Sequence, residues 1–196
     1  MKNDNIHPSF KLKVCRFLRK KLWLGIPAVF FVLIGLTVFG VASIHGSIKF
    51  TSRNDFCFGC HVGMDTIVEE YKESSHFINK KPNGDPAATC ADCHVPNQYP
   101  AKLKAKIIAL KDVYNKWKGT INLQNFEKER PRLASYVWEE MEKTDSKNCR
   151  DCHKDVLFDF TKQPQRAALN HQQLEQTGKT CIDCHSGITH KRPVLQ

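Results

Sequence analysis

From Leu22 to Ile44 the chain carries no charged residue, and apolar side chains fall on every side of the stretch LWLGIPAVFFVLIGLTVFGVASI. Such a run of about 23 residues, at about 1.5 Å each, reaches about 35 Å and exceeds a hydrocarbon core of about 30 Å. One transmembrane helix over 22–44 is therefore predicted. A secretory apolar region is shorter, roughly 7–15 residues, so an uncleaved anchor is preferred to a signal cut near Gly40-Val41-Ala42. Pro27 stands near the start, where a helix tolerates it best. A second pattern follows in AKLKAKIIALKDVYNKWK, residues 101–118. Leu103, Ile107, Leu110, Tyr114 and Trp117 recur at helical spacing and form one apolar stripe flanked by lysines. The whole segment 100–144, rich in Lys, Glu and aromatics, reads helical.

Charge orients the span. Residues 1–45 hold seven basic residues (Lys2, Lys11, Lys13, Arg16, Arg19, Lys20, Lys21) against Asp4 alone. The segment just after the span carries only Lys49 and Arg53, so the basic end stays cytoplasmic and the remainder is exported. Three regions follow: a cytoplasmic N-terminus 1–21, an anchor 22–44 and an exported domain 45–196. The net charge of +10 thus belongs partly to the N-terminus, and no motif of a nucleic-acid module accompanies it. Membrane lipid is the expected partner of the N-terminal charge, and the lysines of 101–118 are candidates for anionic headgroups.

The exported region carries Cys57-Phe-Gly-Cys60-His61, Cys90-Ala-Asp-Cys93-His94, Cys149-Arg-Asp-Cys152-His153 and Cys181-Ile-Asp-Cys184-His185. CxxCH is the attachment signature of c-type haem. Two thiols so spaced reach the two vinyl groups on one edge of a porphyrin, and the next residue sets an imidazole under the iron. Zinc or a disulfide framework would use CxxC pairs too, but neither requires a His after every second Cys, and here it stands there four times out of four. Four covalently bound haems are expected, and with them a mainly α fold of short helices and long irregular loops. The macrocycles would supply much of the core, leaving no need for a sheet of any size.

Spacing suggests a duplication. Cys57 to Cys90 is 33 residues, Cys149 to Cys181 is 32, and one further His lies inside each interval, His76 and His171. Two di-haem units, about 50–99 and 145–196, are expected to flank the helical linker 100–144. His61, His94, His153 and His185 are the motif ligands, and His76, His171 and His190 are the candidates for the opposite face of the iron. Three candidates cannot serve four haems, so at least one haem must differ. Met64, three residues after His61, offers a thioether, which raises a haem's potential relative to two imidazoles. Lys106 flanks the apolar stripe, as a snorkelling cation or as an amine near a haem. Asp112, the only acid between Asp92 and Glu127, suits proton acceptance.

The anchor, the four motifs, the stretch Glu70-Tyr71-Lys72-Glu73-Ser74-Ser75-His76-Phe77, the run Cys90-Ala-Asp-Cys93-His94-Val-Pro and the ending Cys181-Ile-Asp-Cys184-His185-Ser-Gly-Ile-Thr-His190 resemble the NapC/NirT/NrfH family of membrane-anchored tetrahaem quinol dehydrogenases. The resemblance covers nearly the whole chain. It implies oxidation of menaquinol or ubiquinol at the periplasmic face of the bacterial inner membrane, and electron relay to a periplasmic terminal reductase in anaerobic respiration. By the same resemblance, Met64 replaces His61 on the first iron, Lys106 is a ligand candidate at the second, and His76 and His190 are distal ligands. His171 matches a further His of the nitrate-reductase branch, while Asp112, Lys106 and then Lys104 match the quinol site. Two positions depart from the pattern: Val62 and Gly63 separate His61 from Met64, and Asn97 stands where that branch often has His. The second departure leaves room for direct reduction of a small oxyanion at an open haem, and a third reading is passive carriage of electrons between proteins.

Overall fold

The computed structural model describes residues 10–23, 25–60, 64–154 and 158–193. It is mostly helical. Among the described residues the only strands are β1 (Lys21–Trp23) and β2 (Ile26–Pro27), which pair antiparallel. Contacts divide the chain into two units, Met1–Lys49 and Phe50–Gln196, and both CxxCH pairs lie in the second.

The first unit opens with α1 (Phe10–Arg19), which carries no acid. The β1–β2 turn uses Gly25 at φ +76°, a conformation open to glycine at little cost. Helix α2 then spans Ala28–Phe50, 23 residues with a mean hydropathy of 2.2 over its most apolar stretch, long and apolar enough to cross a membrane. Both ends therefore lie six residues later than the uncharged run 22–44 indicates. The reason is backbone chemistry. Pro27 lacks an N–H and is suited to precede a helix but not to continue one, while the Ala28 N–H is taken by Lys20 O at 2.8 Å. At the far end Lys49 sits in the last turn, where a cation favours the carbonyl end of the helix dipole. Thr37 returns its hydroxyl to Leu33 O at 2.9 Å, so no polar group of that side chain is left facing lipid.

The second unit has short helices. They are α3 (Asn54–Cys60), α4 (Met64–Glu73), α5 (Ser75–Ile78), α6 (Cys90–His94), α7 (Ala101–Ile108), α8 (Leu110–Lys118), α9 (Phe126–Lys143), α10 (Lys147–Arg150), α11 (Gln165–Gln172), α12 (Leu174–Thr177) and α13 (Cys181–His185), with a 3-10 turn at Phe160–Lys162. Ala109 breaks the segment 101–118 into α7 and α8. Tyr71, on α4, is the one buried apolar side chain among the described residues of this unit. Its hydroxyl donates to Ala88 O at 2.8 Å and accepts from Asn54 Nδ2 at 3.0 Å, tying α4 to α3 and to the loop before α6. The rings of Phe58 and Phe77 pack edge-on against it. So small an apolar interior is far below what a polypeptide of this length ordinarily needs to offset its conformational entropy.

Candidate functional site

Each described CxxCH motif begins in a turn of helix. Residues i, i+3 and i+4 of a helix share one face, so the two thiols and the imidazole of α6 and of α13 project to the same side. The helices are held by caps of one design. At α6 the Asp92 carboxylate accepts from the Thr89 N–H at 2.8 Å, and the Asp92 N–H returns to Thr89 Oγ1 at 3.3 Å. At α13 the Asp183 carboxylate accepts from the Thr180 N–H at 2.6 Å and from its hydroxyl at 3.0 Å. The third motif follows a left-handed pair, Asp145 and Ser146 at φ +51° and +48°, which turns the chain out of α9 into α10. His61 and the Met64 side chain lie outside the described residues.

The decisive geometry is in the imidazoles. The ring of His76 lies 6.1 Å from that of His153, centroid to centroid, at 84°. His94 and His190 are 6.3 Å apart at 32°, and His171 and His185 6.1 Å apart at 25°. Each pair joins one motif His to one lone His. Two metal–imidazole bonds of about 2 Å each, plus the half-width of each ring, fill such a gap with a single metal atom. Burial lowers the pKa of His76, of His185 and of His190, in each case as the largest cause, which favours the neutral ring that an iron ligand must be. The Nδ1 atoms of His76 and His190 are buried without a hydrogen-bond partner, an arrangement proteins rarely leave unexplained. His171 Nδ1 donates to Gln163 Oε1 at 2.7 Å, leaving its other nitrogen available. By contrast, no three His, Cys, Asp or Glu side chains among the described residues converge to hold a bare metal ion, and the described thiols are not joined as disulfides. These residues fit a porphyrin iron better than zinc.

The pairing is not the one duplication suggests. His171 stays in its own half, with His185. His76 crosses from the first half to the third motif, and His190, from the last residues, returns to the second. The Lys106 amine donates to Thr51 O at 2.6 Å. It lies beside the first motif: the Cys57 thiol is drawn down to about 7, chiefly by a hydrogen bond with Cys90, and the Lys106 charge adds to that. Burial in turn lowers the Lys106 pKa. Lys104 and Asp112 are exposed, on α7 and α8. Asn97 donates to Asp151 at 2.9 Å and Asn148 to Cys93 O at 2.8 Å, so the second and third motifs are stitched together.

Sequence reasoning missed a buried ion pair. Glu70 and Arg130, each 8% exposed, meet at 2.5 Å although 60 residues separate them. No periodicity or motif marks Arg130, and Glu70 stands out only as the first residue of the Glu70-to-Phe77 stretch. The capping boxes, in contrast, were readable as Thr-x-x-Asp around both Cys90 and Cys181.

The profile of the NapC/NirT cytochrome c family, N-terminal region, matches residues 19–195. The chain belongs to this family. As a member of the NapC/NirT family it is a membrane-anchored cytochrome c with covalently bound haem, and it serves electron transport. The NapC cytochrome c-type protein of Haemophilus influenzae is 42% identical over 144 residues, 73% of this chain and 70% of that protein. The denitrification system component NirT of Stutzerimonas stutzeri is 34% identical over 175 residues, 85% and 86% of the two chains. A protein of Allochromatium vinosum named as a tetraheme cytochrome-c type is 42% identical over 163 residues, 83% of this chain and 86% of its own. No solved structure matches the chain.

Proposed function

We propose that this NapC/NirT family protein binds four haems c, oxidises quinol at the periplasmic face of the cytoplasmic membrane and passes the electrons to a periplasmic terminal reductase. The observation that carries the reading is the set of three His–His pairs at 6.1–6.3 Å on a chain that also has a helix fit to cross a membrane. The thioether anchors are Cys57, Cys60, Cys90, Cys93, Cys149, Cys152, Cys181 and Cys184. His94 with His190, His153 with His76, and His185 with His171 are the axial pairs of the second, third and fourth haems. The first haem takes Met64 or His61.

Haem, when bound, supplies the one-electron chemistry that a quinol, giving up two electrons and two protons, requires. The chain supplies place and proton transfer. Ile107, Leu110, Val113, Tyr114 and Trp117 of α7 and α8 are exposed, an apolar surface suited to lipid, with Lys102 and Lys111 beside it for headgroups. Lys106, beside Cys57, holds a quinol oxygen near the first haem in this reading, which its bond to Thr51 O and its charge effect on Cys57 support. Asp112 and Lys104, open to water, pass protons outward.

The test is anaerobic mixing of detergent-solubilised holoprotein with a menaquinol or ubiquinol analogue. Reduced c-type absorption is expected, slowed at least tenfold in Lys106→Met and in Asp112→Asn with haem content unchanged. A protein with four intact haems that neither quinol reduces would overturn the reading.

A further inference from the structure

We infer that the buried Glu70–Arg130 pair is a latch that seats His190 opposite His94. The inference rests on the axial pairing proposed above. Among the described residues after α13, 186–193, there is no helix or strand, only turns and irregular backbone. Something else must hold an imidazole there to the tolerance an iron requires. Lys191, the next residue, has both backbone polar groups committed to the ion pair. Its N–H donates to Glu70 Oε2 at 2.9 Å, and its carbonyl accepts from Arg130 Nη2 at 2.8 Å. The same Arg130 nitrogen holds Glu70 at 2.5 Å, and Glu127 braces Nη1 at 3.4 Å. On the other side, Arg192 Nη2 donates to Cys184 O at 3.1 Å. Three elements, α4, α9 and the tail, thus meet at one carboxylate.

Glu70 Oε2 also lies 4.0 Å from His190 Nδ1. At that distance the two groups are not hydrogen-bonded. The carboxylate acts on the backbone beside the ligand. Withdrawing two charges from water is costly, and an apolar pair would often be as stable. What an apolar pair cannot do is bind an N–H and a C=O of the same residue, and that fixes the direction of the tail. Glu70 and Arg130 are therefore positioning residues for the second haem.

The experiment compares full-length holoproteins by ferric electron paramagnetic resonance and reductive titration. His190→Ala is the reference and loses one of the three bis-histidine low-spin haems to a high-spin form. Glu70→Gln retains volume and an acceptor oxygen but not the charge that orients Arg130; it is expected to lose the same low-spin signal and shift the same haem's potential, with haem content and the other signals unchanged. Arg130→Lys retains the charge but cannot bridge Glu70 and Lys191 at once. It gives partial loss of that signal, and it serves alone if Glu70→Gln does not assemble. Wild-type signals and potentials in the Glu70→Gln and Arg130→Lys proteins, with loss in His190→Ala, would overturn the latch alone. A His190→Ala protein that keeps every low-spin signal would overturn the pairing with His94 and the latch with it.

Discussion

In the first CxxCH pair, Asn54 stands three residues before Cys57, and its Oδ1 accepts from the Cys90 N–H at 3.0 Å. In the second, Ser146 stands three residues before Cys149, and its hydroxyl accepts from the Ile182 N–H at 3.2 Å. Thr89–Asp92 and Thr180–Asp183 repeat the same cap. The likeness stops at the lone histidines. His171 meets the motif of its own half, whereas His76 leaves its half and meets His153 at right angles. Local chemistry was thus retained in both halves while the partners of the long-range contacts diverged. Each half sends one lone imidazole to a motif of the other: His76 stands beside His153, and His190 beside His94.

The largest test of this asymmetry is deletion of a whole attachment site. Helix α6 packs against both α3 and α10, and α13 lies at the end of the chain against α9. Replacing Cys90 and Cys93 together by alanine should abolish holoprotein, whereas replacing Cys181 and Cys184 should leave a three-haem protein, as read by intact mass and haem-stained gels. Equal losses would mean that the halves are independent. A finer test separates the two lone histidines. Perpendicular imidazole planes give a highly anisotropic low-spin ferric signal, and near-parallel planes a rhombic one. His76→Ala should remove the anisotropic signal and His171→Ala a rhombic one; the reverse would break the comparison.

Smaller effects probe the likeness. Asn54→Ala removes the acceptor for Cys90 N–H and the donor to Tyr71, and should cost about 2 kcal/mol in denaturant midpoint analysis. Ser146→Ala removes one acceptor, and about 1 kcal/mol is expected. Thr89→Val and Thr180→Val each lose a cap, about 1 kcal/mol apiece and equal within error. A clear inequality would show that the two caps, alike in sequence, differ in load.

Much of this was legible. The motifs, the duplicated spacing, the mainly helical fold and an apolar span were read from residue order because each is short-range: a thiol pair and its histidine lie within one turn, and hydropathy is a running sum. The span's ends were misjudged because absence of charge reports composition, whereas Pro27 and Gly25 act on the backbone. The resemblance makes Lys106 a candidate at the second iron; what residue order does not show is that its amine donates to Thr51 O, 55 residues back in the chain. Glu70 and Arg130 were invisible, since nothing local distinguishes a buried acid from a solvated one.

Sequence alone determined where the four CxxCH motifs stand and that one segment is greasy enough for lipid, because those properties reside in neighbouring residues. Only the tertiary structure decided which distant imidazole faces which, that His76 and His190 trade halves, and that a carboxylate 121 residues away holds the tail at Lys191. Those choices depend on how loops of many residues close in space, and many closures share almost the same chain entropy. The pattern of residues does not rank them; packing and satisfied polar groups do.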